Sequence, residues 1–162
     1  MNIRRCLENE ADVLTAIAHS AKASWPYTAD QIDAWSESLT IAPTLLGNSF
    51  AYVAEVNSEV AGFYVLCDLE GTWCLEHLWV LPNFMRQGIG TALLTHARSL
   101  AIQQGATTIA IDSEPYAEQF YLAYGAQRVG VAPAPIEGHP DRLRTQLLLP
   151  TQWSISPLSC KR

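Results

Sequence analysis

The 162-residue chain, 49% hydrophobic and 16% charged, has an ordinary globular composition and the length of one domain around one core. This excludes a disordered or fibrous chain and leaves no room for a separate substrate domain. Net charge is −6 with a sequence pI near 5.1 and no cluster of Lys and Arg, so nucleic acid is not an expected partner; an acidic surface favours cationic small molecules, but only weakly.

No uninterrupted apolar run approaches the roughly 20 residues of a membrane helix. The start, MNIRRCLENEADVL, has neither the apolar core of a secretion signal nor an acid-poor transit composition, so a cytoplasmic protein with no membrane attachment is expected. Cys6, Cys67, Cys74 and Cys160 form no CxxC pair, and His19, His77, His96 and His139 lack zinc-site spacing. Neither a metal site nor a disulfide framework is expected; Cys67 and Cys74, in apolar runs, read as buried thiols.

In chain order, Asn2 to Cys6 predicts a short strand, with Asn9 and Asp12 as possible helix starts. Val13, Leu14, Ile17, Ala18 and Ala21 recur at helical spacing, and the helix must end before Trp25-Pro26 because the residue before proline avoids helical geometry. Thr28 with Gln31 forms a capping box that opens a second helix, with Ile32 and Trp35 on its apolar face; Pro43 and Gly47 mark an irregular passage after it. The runs FAYVAEV, EVAGFYVLCDL and TWCLEHLWVL, separated by turns at Asn57-Ser58 and Glu70-Gly71, predict an antiparallel meander.

Beyond Gly90, the residues Leu93, His96, Ala97, Leu100 and Ala101 give an amphipathic helix that Gly105 closes. TTIAI predicts a strand and Pro115 to Ala123 a short helix. Gln127 to Val131 and Arg142 to Leu149, separated by APAPIEGHPD, are the last two strands. The resulting order is β-α-α-β-β-β-α-β-α-β-β. One domain over residues 1–150 is expected, with a C-terminal tail over 151–162 that frays from Ser154 to Arg162.

The chemistry centres on VLPNFMRQGIGTALL, residues 80–94, where an apolar strand turns through Gly88-Ile89-Gly90 into a helix. Glycines let a ligand approach the backbone, and the first N–H groups of a helix lack internal partners, so such a step either binds a phosphate or merely turns a corner. The phosphate loop GxxxxGK[ST] is absent. The dinucleotide fingerprint GxGxxG fits poorly, even with Asp112 about 20 residues on, because its third glycine position is Leu93 and the preceding strands form a meander.

The run LEHLWVLPNFMRQGIGTALL resembles the acetyl-coenzyme A signature of the GCN5-related N-acetyltransferases (GNAT), a strand ending in V-x-P followed by [RQ]-x-x-G-x-[GA] and a helix. AIDSEPYAEQFYLAYGA resembles the same family's strand followed by A-x-x-F-Y-x-x-x-G-[FA]. With the element order, the resemblance covers about Asn2 to Leu149. It implies an α/β fold with a mixed, mostly antiparallel seven-stranded sheet and helices on both faces. It departs from the pattern at Met85, the usual Arg/Gln position, and at Glu114, where many members carry Asn.

The implied function is acetyl-CoA-dependent transfer of an acetyl group to a primary amine of a small molecule or peptide, by a monomer or homodimer; a non-catalytic acyl-CoA sensor is the alternative. By resemblance the pyrophosphate sits on Arg86, Gln87, Gly88, Ile89, Gly90 and Thr91, and the pantetheine arm runs beside Trp79 and Val80. Tyr121 matches the family's proton donor to the departing thiolate. Glu76 is the leading base for the amine and His77 its rival, on opposite faces if the strand alternates. Tyr124 replaces an aliphatic residue and is expected to pack. Trp25, Tyr27 and Trp35 are candidates to wall the amine, with His139 and Glu137 in the late loop.

Overall fold

A computed structural model describes residues 1–152, and the expected frayed tail from Ser154 lies outside them. β1 (Asn2–Arg5) leads to α1 (Ala11–Ala23), which buries Leu14, Ile17, Ala18 and Ala21 and stops before Trp25-Pro26. The capping box forms as read: Thr28 Oγ1 accepts from Gln31 N at 3.2 Å and Gln31 Oε1 from Thr28 N at 3.0 Å. The second helix is shorter than the spacing implied, however. Trp35 leaves helical geometry (φ −93°, ψ 5°), dividing it into α2 (Ala29–Ala34) and α3 (Ser36–Leu39). The irregular passage contains one further turn of helix, α4 (Pro43–Gly47), with its proline in the first turn where no N–H is needed.

The meander follows as β2 (Phe50–Val56), β3 (Glu59–Leu69) and β4 (Thr72–Val80). α5 (Ile89–Gln103) crosses to β5 (Thr108–Ser113), and α6 (Glu118–Ala123) leads to β6 (Gln127–Pro133) and β7 (Leu143–Pro150). The seven strands form one sheet in the order β1-β2-β3-β4-β5-β7-β6, antiparallel except between β4 and β5. One core, with Tyr64, Leu66, Leu93, Leu94, Ile109 and Leu147 fully or nearly fully buried, lies under α5; a second, with Leu14, Ile17, Phe63 and Val65, lies under α1 on the opposite face. Among the described residues no helix is long and apolar enough to cross a membrane.

Two irregularities position the site. β4 carries one extra residue: Leu75 pairs with Leu66 and His77 with Val65, so Glu76 bulges out of register. The bulge shifts the alternation. Trp73 and Leu75 pack in the α5 core, whereas after it Leu78 and Val80 take that face and Trp79 turns to the α1 side. The second irregularity is that β4 and β5 pair only at Cys74 and Ala110 before separating. From Leu75 to Val80 the β5-facing edge of β4 is free of a neighbouring strand, and a cleft opens beside it.

Candidate active site

The cleft is a cavity of about 640 Å³. The separated strands supply Glu76, His77, Leu78 and Trp79 on one side and Ile111, Asp112 and Glu114 on the other, with Tyr121 from α6. Lys22 comes from α1 and Trp25 and Trp35 from the turns that follow α1 and α2, with Ala134, Pro135, Arg142 and Arg144 from the last loop and β7.

Just past β4, whose later residues line the cleft, the chain turns into α5. Arg86 (φ 61°) and Gly88 (φ 82°) are left-handed, a conformation that glycine adopts without strain. Gln87 Nε2 donates to the Asn83 carbonyl at 3.0 Å and braces the turn. The Gly88 carbonyl accepts the Ala92 N–H at 3.0 Å, so the amides of Ile89, Gly90 and Thr91 precede the first internal bond of the helix and stand at its positive end. Gly90 is not required by the fold. A Cβ added there would meet Phe120 at 3.6 Å and Val80 at 3.8 Å, ordinary contacts, although glycine inside a helix costs about 1 kcal/mol relative to alanine.

Tyr124, expected to pack, also forms a hydrogen bond of 2.7 Å with Thr91 Oγ1 and so ties α6 to the start of α5. The signal was present in the sequence as a hydroxyl-bearing residue at an aliphatic position.

Glu76 and His77 both line the cavity, because the bulge breaks the strict alternation that would have put them on opposite faces. Their environments differ. Glu76 is exposed on the bulge, while His77 packs against Phe63 and its Nδ1 accepts the Trp79 indole N–H at 3.1 Å. A neutral imidazole with Nδ1 so occupied carries its proton on Nε2 and has no lone pair to offer the cavity. Burial lowers the His77 pKa to about 4. Tyr121 is buried on α6, and burial raises its phenol well above the ordinary value, so it keeps its proton at neutral pH.

The aromatic candidates divide. Trp25 stacks on Tyr116 at 5.8 Å and tilts against Trp79 at 5.9 Å. Tyr27 lies edge-on to Trp35 at 4.8 Å and donates its hydroxyl proton to Glu114, outside the main cavity lining. The chain's own Lys22 ammonium sits 3.8 Å from the Trp35 ring centroid, so that ring face already holds a cation. Glu137 and His139 lie on the outer loop away from the cleft; the Glu137 carbonyl accepts from Gln31 Nε2 at 3.0 Å.

A charged cluster that sequence reasoning missed also lines the cleft. Glu114, 6% exposed, accepts from Lys22 Nζ at 2.8 Å and from Arg142 at 3.1 and 3.2 Å. Burial alone would raise the Glu114 pKa, but hydrogen bonds from Lys22 and Tyr27 and the nearby cations hold it below the ordinary carboxylate value. Burial lowers Lys22, and the Glu114 carboxylate partly offsets this.

A model of the acetyltransferase (GNAT) family matches residues 14–126, and the chain belongs to that family. The fold is shared with a GCN5-related N-acetyltransferase from Rhodopseudomonas palustris (20% identity, 92% of this chain and 94% of that one, TM-score 0.77). It is shared equally with PaiA N-acetyltransferase from Thermoplasma acidophilum, solved in complex with coenzyme A (16%, 92% and 98%, 0.73). A third is the ribosomal-protein-S18-alanine N-acetyltransferase of Escherichia coli (18%, 97% and 97%, 0.71). No curated protein matches the chain in sequence.

The half-buried His77 gives an acid-stability prediction. Between pH 6.5 and about 4 the unfolded chain binds a proton at His77 that the folded chain does not. Its contribution is therefore complete above 6.5 and is lost as pH falls toward about 4, by up to about 3 kcal/mol. His77→Gln is expected to flatten the pH dependence of the unfolding free energy in that window, measured by denaturant titration; an unchanged acid slope would contradict a neutral, half-buried imidazole.

Proposed function

We propose that this protein is an acetyl-CoA-dependent N-acetyltransferase that moves an acetyl group directly onto a primary amine. Family membership gives the class, and the observation that carries the specific reading is Gly90. Protein packing leaves room for a side chain there, so the glycine is explained by close approach of a ligand to the amides of residues 87–91. A pyrophosphate suits those N–H groups and the helix dipole. Coenzyme A bound to the Thermoplasma acidophilum structure of the same fold supports that choice.

From the loop, the pantetheine arm runs along the unpaired edge of β4 past Val80 and Trp79, where backbone N–H and C=O groups lack a strand partner. The thioester then lies in the cleft between Glu76 and Tyr121. The amine nitrogen attacks the thioester carbonyl carbon, a C–N bond forms and the C–S bond breaks. Glu76 accepts the amine proton, directly or through water, and Tyr121 gives its proton to the departing sulfur. The free β4 edge offers N–H donors to the carbonyl oxygen as negative charge develops on it.

Coenzyme binding and thiol release test this reading separately. Gly90→Glu places a carboxylate at the anion site and is expected to weaken acetyl-CoA binding by a factor of about 100 or more while unfolding stays cooperative. Unchanged affinity overturns the loop assignment. Tyr121→Phe and Glu76→Gln are each expected to lower kcat by about tenfold or more with acetyl-CoA affinity retained. Full activity of either variant removes that residue from the mechanism, and tight acetyl-CoA binding with no thiol release across a broad amine panel favours a sensor.

A further inference from the structure

We infer that the acceptor is a small amino-carboxylic acid whose carboxylate binds beside Lys22, Arg142 and Arg144 in the cleft, an inference that rests on the transferase reading above. Glu76 and Tyr121, the reacting pair, line the same cavity as three cations, Lys22, Arg142 and Arg144.

Three cations and three acids line the cavity, but only one of the acids pairs with the cations through its carboxylate: Lys22 and Arg142 share Glu114, with Lys22 7% and Glu114 6% exposed. Arg144 adds a third positive charge close enough for Lys22 to feel it together with that of Arg142. Its guanidinium donates to the Asp112 carbonyl at 3.2 Å, while its Nε is buried with no partner among the described residues. A planar carboxylate matches the fork of a guanidinium, and two guanidinium groups, Arg142 and Arg144, line this cavity.

The other two acids, Glu76 and Asp112, are exposed: Glu76 lies on the bulge, and Asp112 meets Arg144 through its backbone carbonyl. Trp25, Trp79, Leu39 and Pro135 add apolar surface to the lining, which suits a carbon skeleton. A polycationic amine would instead bring positive charge onto three resident cations. The overall charge of −6 points the other way, yet dispersed surface charges are screened within about 8 Å at physiological salt, whereas buried ones act at short range in a poorer dielectric.

Calorimetry on protein saturated with coenzyme A tests the inference, using the proteinogenic amino acids, each beside its own carboxamide, and spermidine as the polycation. At least one acid is expected to bind about ten- to a hundredfold tighter than its amide, which is the scale of a charge-assisted hydrogen bond. Arg144→Gln is expected to bring acid and amide to parity, and Arg144→Lys to restore part of the difference. Coenzyme affinity measured on the same samples shows that each variant is folded. Equal binding of acids and amides, absence of acid binding, tighter binding of spermidine, or an undiminished preference in Arg144→Gln overturns the inference. Failure of coenzyme A to bind overturns the transferase reading and this inference with it; coenzyme binding without acid preference overturns this inference alone.

Discussion

Past Cys74 the fourth strand loses its neighbour. One pairing, Cys74 with Ala110, holds β4 and β5 together, and from there the two diverge. Parallel strands inside a sheet normally satisfy each other's backbone groups along their length, so an open edge in the middle of a sheet leaves N–H and C=O groups in need of partners. The bulge at Glu76 belongs to the same event, because the extra residue increases local twist and bends β4 away. The cavity, the free edge for an extended ligand and the exposure of Glu76 all follow from that divergence.

Opening a sheet in its middle also removes stabilising contacts, and the charged cluster compensates. Lys22 at the end of α1, Glu114 just after β5 and Arg142 before β7 join three elements that the cleft would otherwise leave apart. Removing one member of such a buried set typically costs about 3–5 kcal/mol, because the others are left charged and unpaired. Trp35 lies beneath the Lys22 ammonium and Tyr27 donates to Glu114, so the aromatic residues flanking α2 serve the cluster. Elsewhere, the Thr91–Tyr124 hydrogen bond fixes the start of α5 against α6.

Much of this organisation was legible in the sequence. Strand alternation, the Thr28–Gln31 box and the turn residues gave the element order and the seven strands, while VLPNFMRQGIGTALL with the F-Y-x-x-x-G segment pointed to the family. The bulge was not legible, because an inserted strand residue has no composition of its own and shows only as a change of face, Leu75 to Leu78, once the partner strand is known. The cluster was not legible either. Lys22 and Glu114 are 92 residues apart; Glu114 stood out only as a departure from the family pattern, and nothing in the sequence singled out Lys22. Splitting of the second helix at Trp35 was hidden for a related reason, since the aromatic packing around Tyr27 and Lys22 acts there and local propensity does not.

The central claim is that the backbone at the start of α5 holds the coenzyme while the cleft beside it carries out the chemistry. Its most direct test is a titration of isotope-labelled protein with acetyl-CoA, following each backbone amide by nuclear magnetic resonance. The amides of Gly88, Ile89, Gly90 and Thr91, with those along Leu78 to Val80, should shift most and saturate together at one affinity. Saturable binding that leaves these amides unmoved while others shift would contradict the account.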